Sequence, residues 1–203
     1  MAPTRIGLIG LSAGTSWALC THLHYLKDTL KYTIAALCNS SVENARAAIK
    51  AHGLPPTTKA YGSPQDLADD PEVDLVVCSV RVGRHYETIV PSLKAGKDIF
   101  CEWPLGKDLA EAQEMEEIAK SKGVCTMVGL QAWQSPFVNK VKEIVESGQI
   151  GKVLSTTFVG NPGFFSLKEP EFVAYTQDRK IGGNMVTIYF IHCTFRSALL
   201  ISA

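Results

Sequence analysis

The chain has 203 residues, 46% hydrophobic and 20% charged, with 20 Lys plus Arg balanced by 20 Asp plus Glu. Zero net charge gives no bulk attraction to nucleic acid or to an anionic membrane, and the length admits one large domain or about one and a half ordinary ones. Six cysteines, with no CxxC and no paired spacing, read as buried, reduced thiols of a cytosolic protein with no metal site.

Short β-branched runs alternate with longer helical stretches, the pattern of βαβ units around a parallel sheet. The first strand, Arg5 to Gly10, starts almost at the N-terminus, so no signal peptide is expected, and its apolar run suits burial on both faces. Ser12 to Leu30 carries Trp17, Leu19, Leu23, Leu26 and Leu30 at helical spacing, and Tyr32 to Cys38 is the second strand. Ser41 to His52 reads as a helix with Ser41 as its cap and Gly53 closing it. Ser63-Pro64 opens a short helix, Val73 to Val80 is the clearest strand, and Arg84 to Lys94 is a helix that Pro91 should kink or shorten.

A strand at Asp98 to Cys101, an amphipathic helix at Asp108 to Lys122, a strand at Val124 to Val128 and a helix at Phe137 to Ser147 complete the alternation. The fold class expected is α/β: a doubly wound Rossmann domain over 1–129, then an incomplete α/β open-sheet domain over 130–203. From Lys152 to Gly160 polar and apolar residues alternate, which predicts a half-exposed strand of that second domain. The apolar stretch Thr187 to Ala203 is interrupted by His192, Thr194 and Arg196. It falls short of the roughly 20 residues that span a bilayer and reads as core.

Between the first strand and first helix lies Gly10-Leu-Ser-Ala-Gly14-Thr-Ser-Trp17. Here backbone amides and the positive end of a helix dipole can meet a dinucleotide pyrophosphate, and glycine permits close approach. The spacing departs from GxGxxG, with Ser12 near the second glycine and Trp17 near the third; a tight turn without a ligand would share the pattern. At the end of the second strand stand Asn39, Ser40 and Ser41, where an acidic residue commonly holds the ribose of NAD. Without that carboxylate nothing repels a 2′-phosphate, which leaves NAD and NADP both open and slightly favours NADP. Asn39 and Ser41 could equally serve only to cap the next helix.

These residues, with Asp74-Leu-Val-Val-Cys-Ser-Val followed by His85, Ala95-Gly-Lys-Asp-Ile-Phe-Cys-Glu102-Trp103-Pro104-Leu105, and Gly151-Lys152-Val153, resemble the Gfo/Idh/MocA oxidoreductases. The resemblance is strongest to the branch that includes the yeast galactose-pathway co-repressor, and it runs from Arg5 to about His192. It implies a Rossmann domain, an open-sheet second domain and NAD(P)-dependent hydride transfer on a small carbonyl or alcohol. It places Gly10, Ser12, Ala13, Gly14, Ser16 and Trp17 around the pyrophosphate, and Asn39 and Ser40 at the adenosine ribose. Ser79, Val80, Arg81 and His85 would line the cofactor, with Glu102 and Trp103 near the nicotinamide.

Two departures bear on catalysis. Trp103 stands where the family's Glu-Lys-Pro motif has a proton-transferring lysine, and an indole exchanges no proton at neutral pH. His192 matches the family's later histidine, the one catalytic candidate, but Ile188 and Phe195 replace the flanking carboxylates; a packed core histidine is the alternative. The family's chains also continue well past this point, so a C-terminally truncated product is expected. Its dimers use the sheet of the second domain, which leaves a homodimer or a protein partner open. The expectation is a cytoplasmic oxidoreductase-like protein with a small-molecule substrate and no nucleic-acid or membrane partner. The alternatives are a dinucleotide-sensing regulator, then of the nucleus too, or an inactive fragment. His22 and His24, two residues apart on a helix, make a poor metal pair. Glu111, Glu114, Glu116 and Glu117 form a solvated helix face. Trp133, Phe164, Phe165 and Tyr175 are candidates for a substrate cleft or for packing against a sheet.

Overall fold

The computed structural model describes residues 2–157, 159, 171–184, 186–190 and 192, which form parts of two compact units, Met1–Val128 and Gly129–Ala203. The first is built on strands β1 (Thr4–Ile9), β2 (Tyr32–Cys38), β3 (Lys59–Tyr61), β4 (Leu75–Cys78), β5 (Asp98–Glu102) and β6 (Thr126–Gly129) in the order β3-β2-β1-β4-β5-β6. The pairs β1–β2, β1–β4, β2–β3 and β4–β5 are parallel. The order reverses between β1 and β4, and in such sheets a crevice opens at the carboxyl ends of those two strands.

Alternation along β1 divides the core into two layers. Ile6 and Leu8 face one layer with Ile34, Leu37 and Val77. Ile9 faces the other with Ala36, Cys38, Val76, Ile99 and Cys101. Gly7 lies in β1 because a Cβ there would come within 2.9 Å of Leu67 and of Val73. Helices α1 (His24–Asp28) and α2 (Val42–Ala51) cover the first layer, α3 (Pro64–Ala68), α4 (His85–Lys94) and α5 (Leu109–Lys122) the second. The helices start where caps let them: Ser41, Ser63 and Asp108 accept the amides of Asn44, Gln65 and Glu111. Pro91 is tolerated inside α4, which begins one residue later than expected, after a 3-10 turn at Val82–Arg84.

The first helical segment begins at residue 17, not Ser12, and includes a π-helical turn at Leu19–Leu23 before α1. The residues before it are the glycine turn itself, and two of the expected apolar stripe are exposed, Trp17 at 56% and Leu30 at 94%. The amino ends of the strands carry an ionic frame. Arg5 makes a bidentate pair with Asp74 at 2.6 and 2.9 Å, which holds the Asp74 carboxyl down at about 2. Buried Asp70 accepts from Lys59 and Tyr61, and buried Lys97 donates to the carbonyls of Asp70 and Val73.

Cys38, Cys78 and Cys101 are buried as free thiols, but Cys20 and Cys125 are exposed, which corrects the expectation of uniformly buried cysteines; Cys193 lies outside the described residues. In the second unit α6 (Pro136–Glu146) follows a 3-10 turn at Gln131–Gln134, and short helical turns occupy Glu171–Gln177, Arg179–Ile181 and Val186–Phe190. Residues 152–157 form no strand. Alternating polarity supplies a face, but a strand also needs a neighbour for its amides and carbonyls, and the described residues of this unit contain none. No helix among the described residues is long and apolar enough to cross a membrane.

Candidate cofactor site

Gly10 follows β1 with φ +99, a conformation that L side chains rarely adopt, and an added Cβ would lie 2.3 Å from the Ser79 carbonyl oxygen. The end of β4 therefore closes on the turn because residue 10 has no side chain. From there the backbone amides of Ser12 to Ser16 have no hydrogen-bond acceptor among the described residues. Ser12 Oγ donates within the turn, lying 3.1 Å from the Gly14 carbonyl and 3.3 Å from that of Thr15. Ser16 Oγ accepts from the Leu19 amide, capping the helical segment. A Cβ on Gly14 would meet nothing within 4 Å.

Two other residues hold the turn from outside. Asn39 Nδ2 donates to the Leu11 carbonyl at 2.8 Å, and the His52 ring lies 2.7 Å from the Ser12 carbonyl. Ser12, Ala13, Asn39, Ser40, Asn44 and Ala47 line a cleft of about 270 Å³. Ser40 Oγ accepts from Asn44 Nδ2, and Ser41, not Asn39, caps α2. No carboxylate lines this cleft. At the end of β4 the Ser79 hydroxyl is buried without a partner, which in a native protein calls for an explanation such as a ligand. Unpaired amides, a carboxylate-free cleft and an orphan hydroxyl together fit a dinucleotide.

Val80 is half-buried and Arg81 exposed, whereas His85 is only 1% exposed. The His85 ring lies 2.9 Å from the Val80 carbonyl and 2.8 Å from that of Pro104, so it ties the β4 loop to the β5 loop through the backbone. Trp103 is half-buried, and the Trp103–Pro104 peptide is cis. Glu102 is buried, and its Oε1 lies 2.5 Å from His22 Nε2. Sequence reasoning missed His22, which it weighed only as a partner for His24; its edge packs on Phe100 of β5. It also missed that Cys78, His85 and Cys101 come together, because Cys78 and Cys101 meet through the register of β4 with β5 and His85 through the start of α4, and no sequence spacing encodes either.

His192, half-buried, belongs to the second unit, as do Trp133 and Tyr175, 37% exposed and half-buried respectively; Phe164, Phe165 and Phe195 lie outside the described residues. On the helix face expected to be only solvated, Glu111 and Glu116 pair with Lys107 and Lys120, and Glu114 accepts from Tyr86.

Residues 4–130 match the oxidoreductase family with an NAD-binding Rossmann fold, and residues 136–198 match the C-terminal domain of Gal80p. The chain belongs to the Gfo/Idh/MocA oxidoreductase family. Among its relatives, the dehydrogenase aclE of Aspergillus oryzae is 40% identical over 97% of this chain and 54% of its own length. The galactose/lactose metabolism regulatory protein GAL80 of Saccharomyces cerevisiae is 31% identical over 94% of this chain and 46% of its own. A crystal structure of a super-repressor mutant of Gal80p from the same yeast superimposes with a TM-score of 0.89 at 29% identity, covering 100% of this chain and 53% of that one. The chain thus spans about half the length of these Gfo/Idh/MocA relatives.

Proposed function

We propose that this chain binds NAD(P) at the β1–α1 turn and serves an oxidoreductase acting on a small carbonyl or alcohol, as a dehydrogenase such as aclE would. The observation that carries this reading is the glycine turn: unpaired amides at the carboxyl end of β1, held open by Gly10 against Ser79. In it, Ser12, Ala13, Gly14 and Ser16 receive the pyrophosphate through backbone amides. Asn39 and Ser40 meet the ribose, where the lack of a carboxylate admits NADP as well as NAD. Ser79 offers its hydroxyl, and Val80 and Pro104 are fixed by His85. When bound, the nicotinamide supplies a hydride acceptor or donor. Trp103 moves no proton, so proton transfer falls to another group, for which His192 is the candidate.

Trp103 also favours a second reading, a dinucleotide-binding regulator without turnover, as a relative of the regulatory protein GAL80 would be. Titration with NADH and NADPH, followed by nicotinamide fluorescence and melting together, tests what both share. At about 100 times Kd a ligand that binds only the native state adds about 2.7 kcal/mol of stability, which raises the melting temperature. A folded protein that binds neither nucleotide refutes both readings. Given binding, oxidation or reduction of the nicotinamide with a panel of sugars and polyols selects the enzyme; binding without turnover selects the regulator.

A further inference from the structure

We propose that Cys78, His85 and Cys101 form a buried, three-coordinate site for a soft metal ion, copper(I). Cys78 ends β4 and stands in register with Cys101 on β5, so both thiols lie on one face of the sheet, and His85 opens α4 above them. One ligand atom from each lies within 4.8 Å of the others, and Cys101 Sγ is 3.3 Å from His85 Nδ1. All three residues are buried, at 0%, 1% and 1% exposure.

Cys78 and Cys101 stand as free thiols on registered parallel strands about 4.8 Å apart. Two metal–sulfur bonds of about 2.3 Å span that separation without moving the strands. The histidine is already oriented as a ligand would be. Its Nε2 faces the Val80 carbonyl, and its Nδ1 lies 2.8 Å from the Pro104 carbonyl and 3.3 Å from Cys101 Sγ. An ion at Nδ1 replaces the contact with Pro104 and leaves the ring proton on Nε2, donated to Val80 as the outer hydrogen bond of a metal-bound imidazole.

Thiolate and imidazole ligands exclude magnesium and calcium, which take oxygen. Zinc in a closed site takes four ligands, and this cluster offers three, the number that suits copper(I). The ion enters as a small-thiol complex while the chain is open, and both cysteine protons leave to solvent.

The test uses the full chain with Cys20→Ser, Cys125→Ser and Cys193→Ser, which removes the thiols exposed among the described residues and the one outside them, refolded anaerobically with copper(I) buffered by bicinchoninate. One equivalent per chain is expected, with an X-ray absorption signature of two sulfurs and one nitrogen. Adding Cys78→Ser and Cys101→Ser should weaken uptake at least tenfold, and His85→Gln should remove the nitrogen. Undiminished uptake after loss of both cysteines overturns the site. So does an all-sulfur signature in the Cys20/Cys125/Cys193 background, a measurement that needs no core variant. Failure of that folded background protein to take copper also overturns it, and tighter binding of zinc(II) than of copper(I) overturns the choice of metal.

Discussion

Gly10→Ala is the sharpest test of how the sheet makes its crevice. The new Cβ would sit 2.3 Å from the Ser79 carbonyl oxygen and 2.9 Å from Val80 Cγ1, at a φ of +99. Holding a non-glycine residue there costs about 1–3 kcal/mol of backbone strain. Pushing β4 aside costs about 1–3 kcal/mol more, because the obstacle is backbone and cannot rotate away. The sum, roughly 2–6 kcal/mol, is a large share of the ~5–15 kcal/mol that holds a domain together. At roughly 3–6 °C for each kcal/mol in a domain of this size, melting followed by circular dichroism should fall by at least about 6 °C. Gly14→Ala is the control in the same turn. It has open space within 4 Å and no positive φ, so its stability should change by less than ~1 kcal/mol. A Gly10→Ala protein that melts within ~2 °C of the parent refutes the argument that the close approach is what requires glycine.

Asp74→Asn should remove an acid-sensitive contribution. The folded carboxyl titrates at about 2 against an ordinary 3.8, so its stabilisation is complete above 3.8 and is lost as pH falls through 2. Because the pair is about two-fifths exposed, solvent screening limits the effect to about 1 kcal/mol; denaturant midpoints for parent and variant should differ at pH 7 and converge near pH 2. Ser92→Ala should be neutral or stabilising by about 1 kcal/mol, since the Ser92 hydroxyl is buried without a partner; a clear loss in urea unfolding would show a bond that the geometry lacks. Ser79→Ala removes a similar orphan hydroxyl, so it should spare the free protein and weaken NADH binding in the same titration used for the parent.

Much of the first unit was legible in the sequence because β1, β2 and β4 are largely apolar runs, and α2, α3 and α5 are announced by the caps Ser41, Ser63 and Asp108; β3, only Lys59–Tyr61, is too short to stand out and was missed. The glycine turn was legible too, since Gly10 stands directly after β1. What the sequence concealed depends on register and on loops meeting in space. His22 reaches Glu102 across 80 positions, and the Cys78–Cys101 pairing follows from strand order, which no spacing encodes. His85 was legible as a residue of interest, but only its burial reveals that its ring serves backbone carbonyls. The alternation misled over 152–157, because polarity records a face and says nothing of a neighbour; the remainder of that stretch lies largely outside the described residues.

The ionic frame at the amino ends of the strands has a consequence for how such a chain can change. Arg5–Asp74, Asp70 with Lys59, and Lys97 fasten β1, β3, β4 and β5 at the edge away from the glycine turn. The fastening edge and the receptive edge of the sheet therefore share strands but no side chains. On the proposed reading of the cleft, substitutions among Ser12, Asn39 and Ser40 retune what it accepts while the opposite edge keeps the strands aligned. A mutational scan of the two edges should divide into variants that alter ligand choice and variants that alter melting, with few doing both.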